Sequence, residues 1–319
     1  MRKPLSQLTI AVSLLMPLSG RAEERKPALT AIAVAPDGKG VVYGSQAGLF
    51  FRAFDRAEPR RLASQMEHIH GAAFSADGKR LAVAGGSPGQ HGSIELYDWP
   101  RAELQSQLEG HQDVVFDVVW IGDKLAAASA DRTISLWDTK EKRQVATLKG
   151  HSRPVVALAV SPDRNMLCSA SADNTIRVWQ MPSGKLLRSL TNHLGPVHGL
   201  AFRPPGETQA PFVLASVSAD GTLRIWQPAI GRLVRIVRHP APVFCVAWSH
   251  DGKYVITGAK DRTLRVIEGD SDDVLKTMKT SSGWPISIAA PDDRIIAGTS
   301  TGALSVFQIG KIEPRKQRG

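Results

Sequence analysis

An all-β fold, a ring of small antiparallel sheets cut from one repeating unit, is predicted by three observations. The stretch AASADRTISLW (127–137) recurs as SASADNTIRVW (169–179) and SVSADGTLRIW (216–226), with a weaker copy, TGAKDRTLRVI, at 257–267. The turn aspartates Asp131, Asp173, Asp220 and Asp261 are 42, 47 and 41 residues apart, and each follows an upstream histidine: His111, His151, His193 or His239. Between these landmarks apolar residues alternate with period 2, broken by turn sequences such as SADGK, SPDRN and SHDGK, the pattern of short strands joined by hairpins. A unit of about forty residues cannot bury both faces of its own sheet, whereas units packed side by side in a closed ring can.

Taken in order, the first unit holds APDGKG (35–40) and an alternating segment at 48–54, and the second holds SADGKR (75–80) and SIELYD (93–98). The third, fourth and fifth are the strongest, with Gly110-His111 and Trp137-Asp138, Gly150-His151 and Trp179, then His193 and Trp226. The sixth keeps His239 and Asp261 but has Ile267 where the others have Trp, and the seventh holds PDDR (291–294) and ALSVFQ (303–308). On these residues the chain resembles the WD40-repeat family, β-propellers with four-stranded antiparallel blades. The resemblance covers nearly everything after residue 22 and implies seven blades over residues 23–310.

Ser, His and Asp in each unit invite a hydrolase reading, but a catalytic triad occurs once and this set occurs once per blade. The resemblance instead implies structural hydrogen-bonded chains: His111–Ser129–Asp131–Trp137, His151–Ser171–Asp173–Trp179 and His193–Ser218–Asp220–Trp226, with His239 and Asp261 as a partial fourth. The buried His and Asp of each blade need such partners. No catalytic residue, metal or cofactor is assigned. There is no phosphate-binding glycine loop, HExxH or Cys-rich pattern, and His68-x-His70 lacks a third ligand in sequence. The expectation is a non-enzymatic protein-interaction scaffold, alone or as one subunit of a complex. A channel-mouth enzyme or small-molecule binder is the alternative from another class.

By the same resemblance, partner-binding positions fall on the top face, at the third and fifth residues after each His and the residue before each turn Asp. These are His68 and His70 in blade 2, Val114 and Phe116 in blade 3, Val156 in blade 4 and His198 in blade 5. Phe244 and Lys260 follow in blade 6, Trp284 and Ile286 in blade 7, and Ala28, Thr30 and Gln46 in blade 1. The set is apolar and aromatic, the composition of binding hot spots. Its three histidines predict that binding weakens below about pH 6.5.

The 40 basic and 30 acidic residues give a formal +10, but the basic residues are scattered, which argues against nucleic acid as the main partner. Two cysteines, Cys168 and Cys245, a blade apart, predict reduced core thiols. Arg2 and Lys3 precede a largely apolar run at 8–18 and the Gly20-x-Ala22 spacing. As a helix the run spans only about 16 Å, short of a bilayer core of about 30 Å. Residues 1–22 are therefore read as an export signal, placing the protein in the periplasm or outside the cell. The family usually completes its last blade with a strand ahead of the first repeat. A second reading thus keeps 9–15 on the chain as the ring-closing strand of a cytoplasmic protein, and the tail at 308–313 is a third source of that strand. Residues 311–319 are read as a basic, solvated tail, and the insertion RPPGETQAPF (203–212) as a surface loop.

Overall fold

The computed structural model describes residues 26–56, 58–206 and 211–310. The segments read as an export signal (1–22), as a closing strand (9–15) and as a basic tail (311–319) lie outside these residues, as does part of the blade 5 insertion. Every regular element described is a β-strand, and among the described residues no helix is long and apolar enough to cross a membrane.

The strands form seven antiparallel sheets in chain order, spanning 31–62, 68–111, 115–148, 155–190, 197–238, 243–279 and 285–308. Each sheet pairs consecutive strands, from an inner strand at the hub to an outer one at the rim. The inner strands (Ala31–Val34, His68–Phe74, Val115–Ile121, Val155–Val160, Val197–Phe202, Val243–Trp248 and Pro285–Ala289) each touch the next, and the last touches the first. The ring is closed, and the architecture is a seven-bladed β-propeller.

Alternation dictates the packing. Successive side chains of a middle strand point to the two neighbouring blades, so these strands are apolar on both faces. In the fourth blade, Ile176 and Val178 meet Trp226 of the fifth, while Trp179 turns to Leu136 and Leu148 of the third. Six such clusters fill the junctions from blade 1/2 to blade 6/7. Each buried Leu, Val or Ile contributes about 1.5–3 kcal/mol, so the blades are held mainly by their faces. Cys168 and Cys245 are free and buried, in the second strand of blade 4 and the first of blade 6, and burial pushes the Cys245 thiol up to about 12.

The seventh junction differs. Blade 7 has three strands among the described residues, ending on Leu304–Gln308, and no comparable apolar cluster joins it to blade 1. Polar contacts cross the seam. The Leu29 N–H donates to the Thr299 carbonyl (3.1 Å) and Ser287 Oγ to the Leu29 carbonyl (2.7 Å). Arg294 Nη2 donates to the Gly38 carbonyl (3.0 Å), with its guanidinium 4.3 Å from the Phe54 ring centroid. Two other junctions carry a similar clamp: Arg80 lies over Trp120, and Arg203 over Trp248.

Candidate functional site

The repeated polar residues occupy the interior of the blades. In blades 3, 4 and 5 the His Nδ1 lies 2.7, 2.9 and 2.8 Å from the turn carboxylate of Asp131, Asp173 and Asp220. The threonine two residues on closes the turn by donating to that carboxylate. These bonds outweigh the desolvation of Asp131 and Asp220 and hold both near 2, below the usual carboxylate range, and they lower Asp173 further.

The serine joining His to Trp is not the one expected. Ser129, Ser171 and Ser218 donate to the carbonyls of Asp113, Arg153 and Gly195 and accept from the turn N–H, so they shape the turn. The bridging hydroxyl in blades 4 and 5 is two residues earlier. Ser169 lies 2.8 Å from His151 Nε2 and accepts from Trp179 Nε1 (2.9 Å), and Ser216 does the same for His193 and Trp226 (both 2.8 Å). The strand period explains the shift: residues 169 and 171 share a face, but only 169 lies deep enough to meet both rings. Blade 3 has Ala127 there, and the hydroxyl has crossed the ladder to Ser135, the partner of Ala127, 2.6 Å from both His111 Nε2 and Trp137 Nε1.

Blades 6 and 2 depart further. His239 and Asp261 do not bond: Arg265 Nη2 takes the carboxylate at 2.6 Å, His239 Nε2 meets Thr257 Oγ1 at 2.9 Å, and His239 Nδ1 is buried without a partner among the described residues. Burial, aided by the Arg265 charge, lowers the His239 imidazole to about 4. In blade 2, Glu95 is fully buried and receives bonds from Ser64 Oγ (2.7 Å), the Gln65 N–H (2.7 Å) and the Tyr97 hydroxyl. Sequence reasoning missed this second network, although a glutamate in an inward register of SIELYD was its signal.

Several of the top-face candidates come together in the structure. The collar position falls on Thr30, His70, Phe116, Val156, His198, Phe244 and Ile286, one per inner strand or its entry, and all seven are partly exposed. Aromatic contacts link them into two arcs. His68, His70 and Phe116 are joined at 6.4 and 5.3 Å between centroids, and His198, Phe244 and Trp284 at 5.3 and 6.4 Å. Lys260 is exposed. Val114 is the exception: it is 2% exposed and cannot present a side chain. Its carbonyl accepts the Ala130 N–H, as the Trp284 carbonyl accepts that of Ser300, so the backbone there is fixed by loop pairing. Burial lowers His70 to about 4, with His68 adding to the effect, and lowers His198 as well.

Below the collar, Asp117 was also missed. On the inner strand of blade 3 it accepts the N–H groups of Val118 and of Leu158 in the next blade, each at 2.8 Å. Burial raises its carboxyl to about 7 against these two bonds. Among the described residues no three His, Cys, Asp or Glu side chains are grouped to hold a metal ion.

Comparison with known proteins agrees with this architecture. Residues 102–138, 142–180, 184–227 and 231–268 match the WD domain, G-beta repeat. The nuclear distribution protein nudF of Aspergillus flavus is 38% identical over 80 residues, 24% of this chain and 18% of that protein. The human WD repeat and SOCS box-containing protein 1 is 35% identical over 82 residues, 24% of this chain and 20% of that protein. The matches thus span about a fifth of these relatives' length. With seven blades in a ring, His–Asp–Ser–Trp chains inside three of them and four matched repeats, the chain belongs to the WD40-repeat family.

Proposed function

We propose that this protein is an exported, non-enzymatic scaffold that holds an apolar or aromatic loop or peptide of a partner protein at the top-face collar. Propellers of this family generally act as protein-interaction scaffolds rather than enzymes. The observation carrying the reading is the pair of aromatic arcs at the channel mouth, partly exposed and carrying little charge. Aromatic side chains on a rigid base lose little entropy on binding and bury large areas. With the repeated Ser, His and Asp residues committed to each other inside the blades, the collar is left as the place for a partner.

The test compares the wild-type protein with a Phe116→Glu, Phe244→Glu, Trp284→Glu variant as bait in the native cell fraction, both confirmed folded by circular dichroism. A partner captured and cross-linked to the collar by the wild type and weakened at least ten-fold by the variant is expected. Equal capture by both moves the interface elsewhere. The export half of the reading rests on Arg2, Lys3, the apolar run at 8–18 and Gly20-x-Ala22. It predicts a mature chain beginning at Glu23 when protein from the native cell is sequenced from its N-terminus; a mature chain retaining 9–15 would reverse it.

A further inference from the structure

The basic residues, scattered in the sequence, are sorted by face in the fold. Backbone bonds tie the loop entering each inner strand to the turn between the second and third strands. The Ala130, Ala172, Ala219, Lys260 and Ser300 N–H groups donate to the carbonyls of Val114, Pro154, Pro196, Pro242 and Trp284. These loops and turns therefore share the collar's end of the ring, and the remaining hairpins lie at the other. At the collar end, Arg132, Lys149 and Arg153 stand exposed on the blade 3 turn and the way into blade 4. Lys260 and Arg262 stand exposed on the blade 6 turn, with Arg238 and Lys279 at the ends of the outer strands of blades 5 and 6. None of these seven cations has a carboxylate at ion-pair distance among the described residues.

The carboxylates are placed elsewhere. The turn aspartates of blades 3 to 6 are bonded inward, to His111, His151, His193 and Arg265. The other acids at this end, Glu67, Glu109 and Asp113, belong to blade 2 and the loop into blade 3. Glu67 accepts from Ser87 Oγ and Asp113 from the Gly89 N–H, each at 2.8 Å. At the opposite end, exposed aspartates stand in the first hairpin of six blades: Asp37, Asp77, Asp123, Asp163, Asp251 and Asp292. Three of them take up nearby bases, Asp123 holding Arg80 and Lys140, Asp251 holding Lys253 and Asp292 holding Arg294. Charge at that end is paired locally, whereas the collar end keeps unpaired positive charge on two sides of an aromatic mouth.

We propose that the partner segment at the collar is acidic: a loop or extended peptide with an apolar or aromatic anchor in the mouth and carboxylates on both flanks, one flank over blades 3 and 4 and the other over blades 5 and 6. The inference rests on the collar reading above and adds the charge of its occupant. Nucleic acid fits less well. Its evenly spaced phosphates need a continuous basic track, and Glu67, Glu109 and Asp113 interrupt this one. Exposed charges act over about 10 Å at 0.1 M ionic strength and set encounter rate and register more than raw affinity. The acidic sector at blades 2 and 3 therefore also fixes which way round the segment lies.

The test uses the purified full chain and two fluorescent octapeptides with Phe-Leu at the centre, one flanked by Glu and the other by Gln, followed by anisotropy and stopped flow. The Glu peptide is expected to bind at least ten-fold tighter at low salt, chiefly through faster association, with the advantage shrinking as salt rises. Arg132→Asn, Arg153→Gln, Lys260→Gln and Arg262→Asn together remove four charges and leave the aromatic residues in place. Blade 4 already carries Asn174 at the same left-handed turn position, φ 69° against 72° at Arg132 and 65° at Arg262. This variant should bind both peptides alike, at the wild type's affinity for the Gln peptide. Equal binding of the two peptides by the wild type overturns the proposal; loss of both in a neutral collar variant (Phe116→Ala, Phe244→Ala, Trp284→Ala) then leaves the collar reading standing. Glu-peptide binding that survives the neutral collar variant overturns the collar reading itself, and the anchor with it. Failure of both peptides to bind, or tighter charge-dependent binding of oligo-dT, overturns the proposal as well, the latter in favour of nucleic acid.

Discussion

Ser169 and Ser171 stand two residues apart on one strand face, both fully buried, and do different work. Ser171 satisfies backbone groups at a turn; Ser169 is the only described hydrogen-bond partner of His151 Nε2 and Trp179 Nε1. Ser169→Ala orphans two buried ring nitrogens and is expected to cost about 1–3 kcal/mol, the penalty for an unsatisfied buried group. Blade 3 supplies its own control, since Ala127 and Ser135 make the same junction from opposite sides of the ladder. Arg177 is the ladder partner of Ser169, and its Nε is already unpartnered. Ser169→Ala with Arg177→Ser is therefore expected to recover at least half the loss in urea denaturation, relative to Ser169→Ala alone. No recovery would mean that the position of the hydroxyl, not its presence, is what the blade requires.

At the scale of the element, the sequence made some parts plain and others not. The repeat and the turn aspartates marked where strands begin, because alternation and turn chemistry are local. Blades 3 to 5 were legible down to the His–Asp pairs. What escaped depends on contacts between segments distant in sequence. Glu95 receives bonds from residues thirty or so positions upstream, and Asp117 is defined by a blade it does not belong to. Val114 was placed on the top face by counting, and the structure buries its side chain. The bridging serine was misassigned for the same reason: two hydroxyls on one face differ only in depth. In blade 6, Arg265 outcompetes His239 for Asp261, a choice that strand patterning cannot announce.

The whole molecule responds to pH through opposing groups. His70 and His239, held at about 4 by burial, stay neutral in the fold while the unfolded chain takes up protons near 6.5, so stability falls as pH drops from about 6.5 to 4. Asp117, raised to about 7 by burial, binds its proton in the fold first, so it opposes that loss over the same range. Asp117→Asn removes the opposition and is expected to steepen the acid limb by up to about 1.4 kcal/mol per pH unit. Urea midpoints at pH 7.5, 6 and 5 measure the slope, and an unchanged slope would mean that Asp117 carries no proton in the fold.

The seam also decides how the ring bears load. Lys26 lies against Gly302 and Gly310 follows the last strand of blade 7, so the described chain enters and leaves the ring at the same junction. Tension applied through these two points meets the Leu29–Thr299 and Arg294–Gly38 bonds one after another, as a zipper opens, while the six apolar junctions lie outside the line of force. Among the described residues the wheel therefore has one line along which a pull at its two ends would open it first.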